Sequence, residues 1–259
     1  MEKVTSADGT SIAYDRLGDS GPAVVLVCGG SVDRMSNAPL AALLAQHYTV
    51  FNYDRRGRGD SGDAEVYAIE REFEDLDAMF AVAGGSAHLY GTSSGAALAL
   101  LATASGRPVN RLALWEPPYM LEGTRKRPPA DTASIYREFV AAGRRDKAAE
   151  YFMAEVVGLP AEFVAMAKES PWWPAQEAIA HTLAYDATVM GDYSLPSEAV
   201  AAIVQPTQVL TGGAAWEWMK LGNQAVAELL EDGSHRVLPD QEHNVDPAVL
   251  APALKEFWG

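Results

Sequence analysis

This chain has almost none of the residues that staple or metallate a protein. Cys28 is its one cysteine, which excludes an intrachain disulfide and gives no sign of an oxidising compartment. Five histidines, His47, His88, His181, His235 and His243, lie far apart, with neither H-x-x-x-H nor C-x-x-C spacing. A metal site therefore has no support, and no metal or other cofactor is expected. Basic charge is also scarce: 20 Lys and Arg stand against 35 Asp and Glu, a formal net charge of -15. A phosphate-binding surface would need a basic patch, so neither nucleic acid nor an anionic membrane is expected as a partner. The dense basic runs, Arg55-Arg56-Gly57-Arg58 and Arg125-Lys126-Arg127, are short and read as solvated faces or loops. No segment approaches the roughly 20 apolar residues that span a bilayer. Met1 to Gly9 carries no apolar stretch of the kind a secretory signal needs. The expectation is a soluble, cytoplasmic protein acting on a small molecule, its oligomeric state left open.

What is present is enough apolar material, 48% of 259 residues, for one large α/β core. Polar-apolar alternation over residues 2–7 and 11–17, separated by Asp8-Gly9, predicts a hairpin at a sheet edge. The run Pro22 to Cys28 is β-branched and continuously apolar, the pattern of a strand buried on both faces, and it ends at Gly29-Gly30. A helix at 38–47, a strand at Thr49 to Tyr53 and a helix over 65–83 with an acidic outer face follow. Strand Ala87 to Tyr90, a small-residue helix from Ala96 and strand Arg111 to Trp115 continue the alternation, which implies a mostly parallel sheet.

The alternation breaks at Pro117. From there to about Ser194 only helical patterns occur, over 131–142, 146–157, 161–168 and 174–190. An all-helical insert between parallel strands emerges at their carboxyl edge, where ligands bind. Met153, Met166, Met190, Trp172, Trp173 and Tyr193 could line an apolar pocket there, although most such residues form the insert's own core. Strand Pro206 to Gly212, a helix at 216–231, a short strand at 234–238 and a last helix from Pro247 to Trp258 complete the chain.

Within this order, Gly91-Thr92-Ser93-Ser94-Gly95 sits between a strand and a helix. That context turns G-x-S-x-G into a nucleophile elbow, in which the serine is strained at the tip of a turn too tight for side chains on either side. A helix N-terminus beside the Ser93 hydroxyl favours negative charge developing there. His88, inside the elbow strand, reads as a core histidine.

The order of motifs resembles the α/β-hydrolase superfamily over the whole chain. Cys28-Gly29-Gly30 resembles its oxyanion loop, Asp54-Arg55-Arg56-Gly57-Arg58-Gly59-Asp60-Ser61 its D-x-R-G-x-G-x-S turn, Gly91 to Gly95 its elbow, and His243 stands where the family places its histidine. The resemblance implies an α/β-hydrolase fold: a mostly parallel eight-stranded sheet flanked by helices, with residues 1–116 and 195–259 as core and 117–194 as helical cap. It also implies Ser93 and His243 as catalytic residues and the N–H groups of Gly30 and Ser94 as the oxyanion hole.

Two positions depart from the family pattern. Cys28 replaces the usual histidine, and Ala215 stands where the acid normally follows the seventh strand. Some members, haloalkane dehalogenases among them, carry the acid one strand earlier, and Glu116 stands at that point; Asp240 and Asp246 are weaker candidates. The expected activity is a serine hydrolase using Ser93, His243 and Glu116 on a carboxylic ester, lactone or thioester of a small apolar molecule. A lyase, a cyclase or a C–C hydrolase on the same fold is the alternative, and a ligand-binding module with vestigial residues a further one.

Overall fold

Alternation along each strand sorts its side chains between two faces, and here both faces are covered. In the computed structural model, which describes residues 1–259, Val24 and Leu26 pack against apolar residues of α1 (Ala38–Leu44) and α11 (Pro247–Trp258). Val25 and Val27, one step out of phase, join the larger core with α2 (Ile69–Val82) and α3 (Ser94–Ala104). The result is three layers. The sheet has eight strands in the order β1-β2-β4-β3-β5-β6-β7-β8. They are β1 (Glu2–Thr5), β2 (Ser11–Leu17), β3 (Ala23–Val27), β4 (Thr49–Tyr53), β5 (Ala87–Thr92), β6 (Val109–Trp115), β7 (Thr207–Gly212) and β8 (Gly233–Leu238). β1 and β2 pair antiparallel, as does β2 with β4; every other pairing is parallel. Because β3 lies between β4 and β5, the chain changes direction across the sheet there, and a crevice opens at the carboxyl ends of β3 and β5.

Between β6 and β7 lie α4 (Thr132–Ala141), α5 (Arg145–Tyr151), α6 (Ala161–Lys168), α7 (Trp173–Ile179), α8 (Leu183–Met190) and α9 (Ser197–Ala201); α10 (Glu217–Leu229) follows β7. The predicted 146–157 helix closes as a π turn over Phe152–Val157, and the predicted 174–190 helix is divided by a 3-10 turn at Ala180–Thr182. No helix is long and apolar enough to cross a membrane.

Two expectations require correction. The helix expected from Glu65 begins only at Ile69, and Val66 is exposed. Tyr67 accounts for this: its ring stacks on Tyr185 of the insertion at 4.0 Å and its hydroxyl donates to Glu72, which pulls the segment off the helix axis. Nor are Arg55, Arg56 and Arg58 solvated; all three are fully buried, as are Glu72 and Asp75 on the supposed outer face of α2. Arg56 pairs with Asp75 at 2.7 Å, and Arg55 pairs with Glu72 at 2.6 Å and with Asp186 at 2.8 Å. Arg58 reaches the other oxygen of Asp186 at 2.8 Å. Runs of like charge in sequence are thus threaded into opposite charge in space.

Asp186, on α8, ties the insertion to the sheet. Burial pushes its carboxyl up, but Arg58 and Arg55 outweigh that and hold it below the ordinary aspartate range. Its stabilisation is therefore complete above the unfolded-state value and is lost as pH falls through the folded one. Asp186→Asn, which leaves two buried guanidiniums short of a partner, is expected to cost about 3–5 kcal/mol at neutral pH by urea denaturation. The gap between variant and wild type should narrow in acid; a constant gap down to the lowest pH would remove Asp186 as its source.

Candidate active site

Strand register brings the site together. Val27 pairs with Gly91, Thr92 with Trp115, and Trp115 with Leu210. The next residues, Ser93 and Glu116, therefore leave adjacent strands at the same level, with Thr211 and Gly212 beside them. Both adopt backbone conformations that L-residues avoid: Ser93 has φ 55° and ψ -126°, and Glu116 has φ 46°. Strain of this kind persists only where surrounding structure over-determines it. The elbow glycines supply that surrounding. A Cβ on Gly91 would lie 2.4 Å from the Gly95 carbonyl oxygen, and one on Gly95 2.3 Å from that of Cys28.

Glu116 has no solvent exposure and spends both carboxylate oxygens. Oε1 accepts the Gly212 N–H at 2.8 Å, and Oε2 lies 2.6 Å from His243 Nδ1. The His243 loop comes this close because Gly212 has no side chain; a Cβ there would sit 2.1 Å from the Gln241 carbonyl oxygen. Trp115 Nε1 donates to the His243 carbonyl at 2.9 Å, fixing the backbone as Glu116 orients the ring. Ala215 turns back instead, its N–H donating to the Gly212 carbonyl at 3.1 Å. Asp246 accepts from Ala248 N–H at 2.8 Å and caps α11. Neither it nor Asp240 bonds the ring. Ser93 and His243 line one cavity. The hydroxyl makes no hydrogen bond to the imidazole, a contact that commonly tightens only when substrate fills such a site.

Ser94 opens α3, so no carbonyl one turn earlier is available to its N–H. The Gly30 N–H makes no backbone hydrogen bond either. The loop carrying Gly30 is held by Arg58, whose Nη1 donates to the Gly29 carbonyl at 2.5 Å. A Cβ on Gly30 would lie 3.1 Å from Asp186 Oδ2, and the Ser94 hydroxyl donates to Asp186 Oδ1 at 2.8 Å. Cys28 is buried, and desolvation pushes its thiol up, so the residue replacing the family's histidine is an inert neighbour. No group of three or more His, Cys, Asp or Glu side chains is placed to hold a metal ion.

The cavity has a volume of about 340 Å³. Of the insertion residues expected to line it, Met190 and Tyr193 do. Met153 and Trp173 form a small core of their own, while Met166 and Trp172 are exposed. His88 is buried and stacks on Trp258 at 5.5 Å, as a core histidine would. Sequence reasoning missed Asp186 and Arg125, both in the cavity wall. Arg125 carried a signal, its place just after the Pro117 break, but sat in a basic run that reads as solvated.

A model of the alpha/beta hydrolase family matches residues 24–253. Among solved structures, an alpha/beta hydrolase from Sphaerobacter thermophilus is 48% identical, covers 100% of both chains and superposes with a TM-score of 0.93. Curated relatives match over shorter stretches. One is N-formylmaleamate deformylase of Pseudomonas putida, 35% identical over 127 residues, 48% of this chain and 47% of that one. Another is the uncharacterized hydrolase YraK of Bacillus subtilis, 38% identical over 96 residues, 36% of this chain and 35% of that one. The chain thus spans half or less of the curated relatives it matches. With the family match running from β3 into the last helix, the chain belongs to the alpha/beta hydrolase family.

Proposed function

We propose that this chain is a serine hydrolase of small molecules, with Ser93 as nucleophile, His243 as general base and acid, and Glu116 as the acid that orients the imidazole. The observation that carries this reading is the 2.6 Å contact between Glu116 Oε2 and Nδ1 of His243, a residue that lines the same cavity as Ser93. With Nδ1–H donating to Glu116, Nε2 is left to accept a proton. As Ser93 Oγ attacks a carbonyl carbon, its proton passes to Nε2, and the Gly30 and Ser94 N–H groups receive the developing oxyanion, a contribution of about 3–4 kcal/mol per donor. His243 returns that proton to the leaving group as the carbonyl re-forms. Water, deprotonated by the same nitrogen, then releases the acid from Ser93.

Residues 117–194 act in this reading as a cap over the core formed by 1–116 and 195–259. Esters, lactones and thioesters suit the arrangement. The 35% identity to a deformylase over about half the chain supports extending the scissile bond to the amide of an N-formyl group. The first step differs only in that His243 protonates nitrogen rather than oxygen.

A fluorophosphonate should label the wild type stoichiometrically and leave Ser93→Ala unlabelled, with p-nitrophenyl acetate turnover down on the order of 10⁴-fold or more. Undiminished labelling of the variant would move the nucleophile elsewhere. Glu116→Gln should lower kcat by on the order of 10³–10⁴-fold, since an amide can present its NH₂ to Nδ1 and hold the wrong tautomer. Turnover within tenfold of wild type would end the case for Glu116.

A further inference from the structure

Charge is unevenly compensated around the cavity. One carboxylate, one imidazole and one guanidinium line it: Asp186, His243 and Arg125. Asp186 is met by Arg55 and Arg58 at 2.8 Å each, and His243 by Glu116 at 2.6 Å. Arg125 has no carboxylate beside it. Its Nη2 donates to the Val156 carbonyl at 2.8 Å, and its guanidinium carbon lies 4.9 Å from the centre of the Trp218 ring, which stacks in turn on Trp216. The other donors of the planar fork make no bond to the chain. Acidic residues outnumber basic ones 35 to 20, so the missing partner is a local feature and not a matter of supply.

The chain builds a socket for this cation. The π turn Phe152–Val157 ends at Gly158 with φ 84°, and a Cβ there would lie 2.7 Å from Arg125 Nη2. Glycine lets the guanidinium pass to the Val156 carbonyl, and Trp218 holds it flat. Tyr193, buried in the same wall, has a hydroxyl without a hydrogen-bond partner and is locked at φ 62°. Desolvation lowers the Arg125 pKa, and the proximity of Tyr193 acts in the opposite direction. A half-buried arginine of this kind lacks only an anion, and its fork matches the two oxygens of a carboxylate.

We propose that the substrate carries a carboxylate that docks on Arg125, with the Tyr193 hydroxyl as a second donor. The substrate class is then the acidic ester or amide, such as a half-ester or half-amide of a short dicarboxylic acid, in place of the wholly apolar molecule that the sequence suggests. Which bond is broken rests on the serine-hydrolase reading; the anion site does not.

The test compares acidic substrates with neutral isosteres on either side of the scissile bond. Mono-p-nitrophenyl glutarate is set against p-nitrophenyl pentanoate, and 4-acetoxybenzoate against 4-methylphenyl acetate. In wild type one acidic member should exceed its neutral partner in kcat/KM by about 10–100-fold. Arg125→Met should bring that ratio to one or below, and Arg125→Lys should keep part of it. Binding of glutarate to Ser93→Ala, followed by calorimetry, should weaken at least tenfold when Arg125→Met is added. Neutral substrates preferred on both sides, or an acidic preference that survives Arg125→Met, overturns the proposal. If no ester is turned over and Ser93 is not labelled, glutarate binding decides: Arg125-dependent binding upholds the anion site while the hydrolase reading falls, and Arg125-independent or absent binding removes both.

Discussion

A carboxylate shut away from water organises the candidate site. Glu116 has no solvent exposure, so its charge is tolerable only if both oxygens are satisfied, and the Gly212 N–H and His243 Nδ1 satisfy them. One partner is a backbone group at the end of β7, the other an imidazole carried by the loop after β8. Their positions follow from parallel register, in which Thr92, Trp115 and Leu210 stand side by side. A slip of one residue would turn Glu116 to the other face of the sheet and separate it from His243.

A second set of buried charges joins the insertion to this edge. Arg55 and Arg58 from the turn after β4 meet Glu72 of α2 and Asp186 of α8, two positive groups against two negative ones with almost no exposure. The set is neutral as a whole, which is how it can be buried. Arg58 also grips the Gly29 carbonyl, so the ion pair that holds α8 down also holds the Gly30 loop in place. Insertion and Gly30 loop are therefore mechanically one unit. Arg125 stands outside this arithmetic, and that isolation marks it as a group with business in the cavity.

Much of the architecture was legible in the residues, because local pattern carries it. Continuous apolar runs became strands buried on both faces, and Gly91 and Gly95 announced a turn that no side chain could enter. Trp115-Glu116-Pro117 also signalled where the helical insertion departs. Legibility failed where a residue's partner lay far along the chain and no family motif pointed to it. Arg55 finds Asp186 across 131 residues, and Val66 leaves the helix because Tyr67 stacks on Tyr185 of the insertion.

Read alone, the amino-acid order determined the order of the strands and most of the helices, the elbow at Ser93 and the vacancy at Ala215, since each depends on backbone preference or spacing within a few residues. Tertiary structure decided among Glu116, Asp240 and Asp246 as the partner of His243, and it alone decided that three arginines are buried and that Arg125 faces a cavity without a counter-ion. The reason is physical: conformational preference acts over one turn or one strand, whereas Coulomb pairing and desolvation act between groups that only the completed fold brings within a few ångströms.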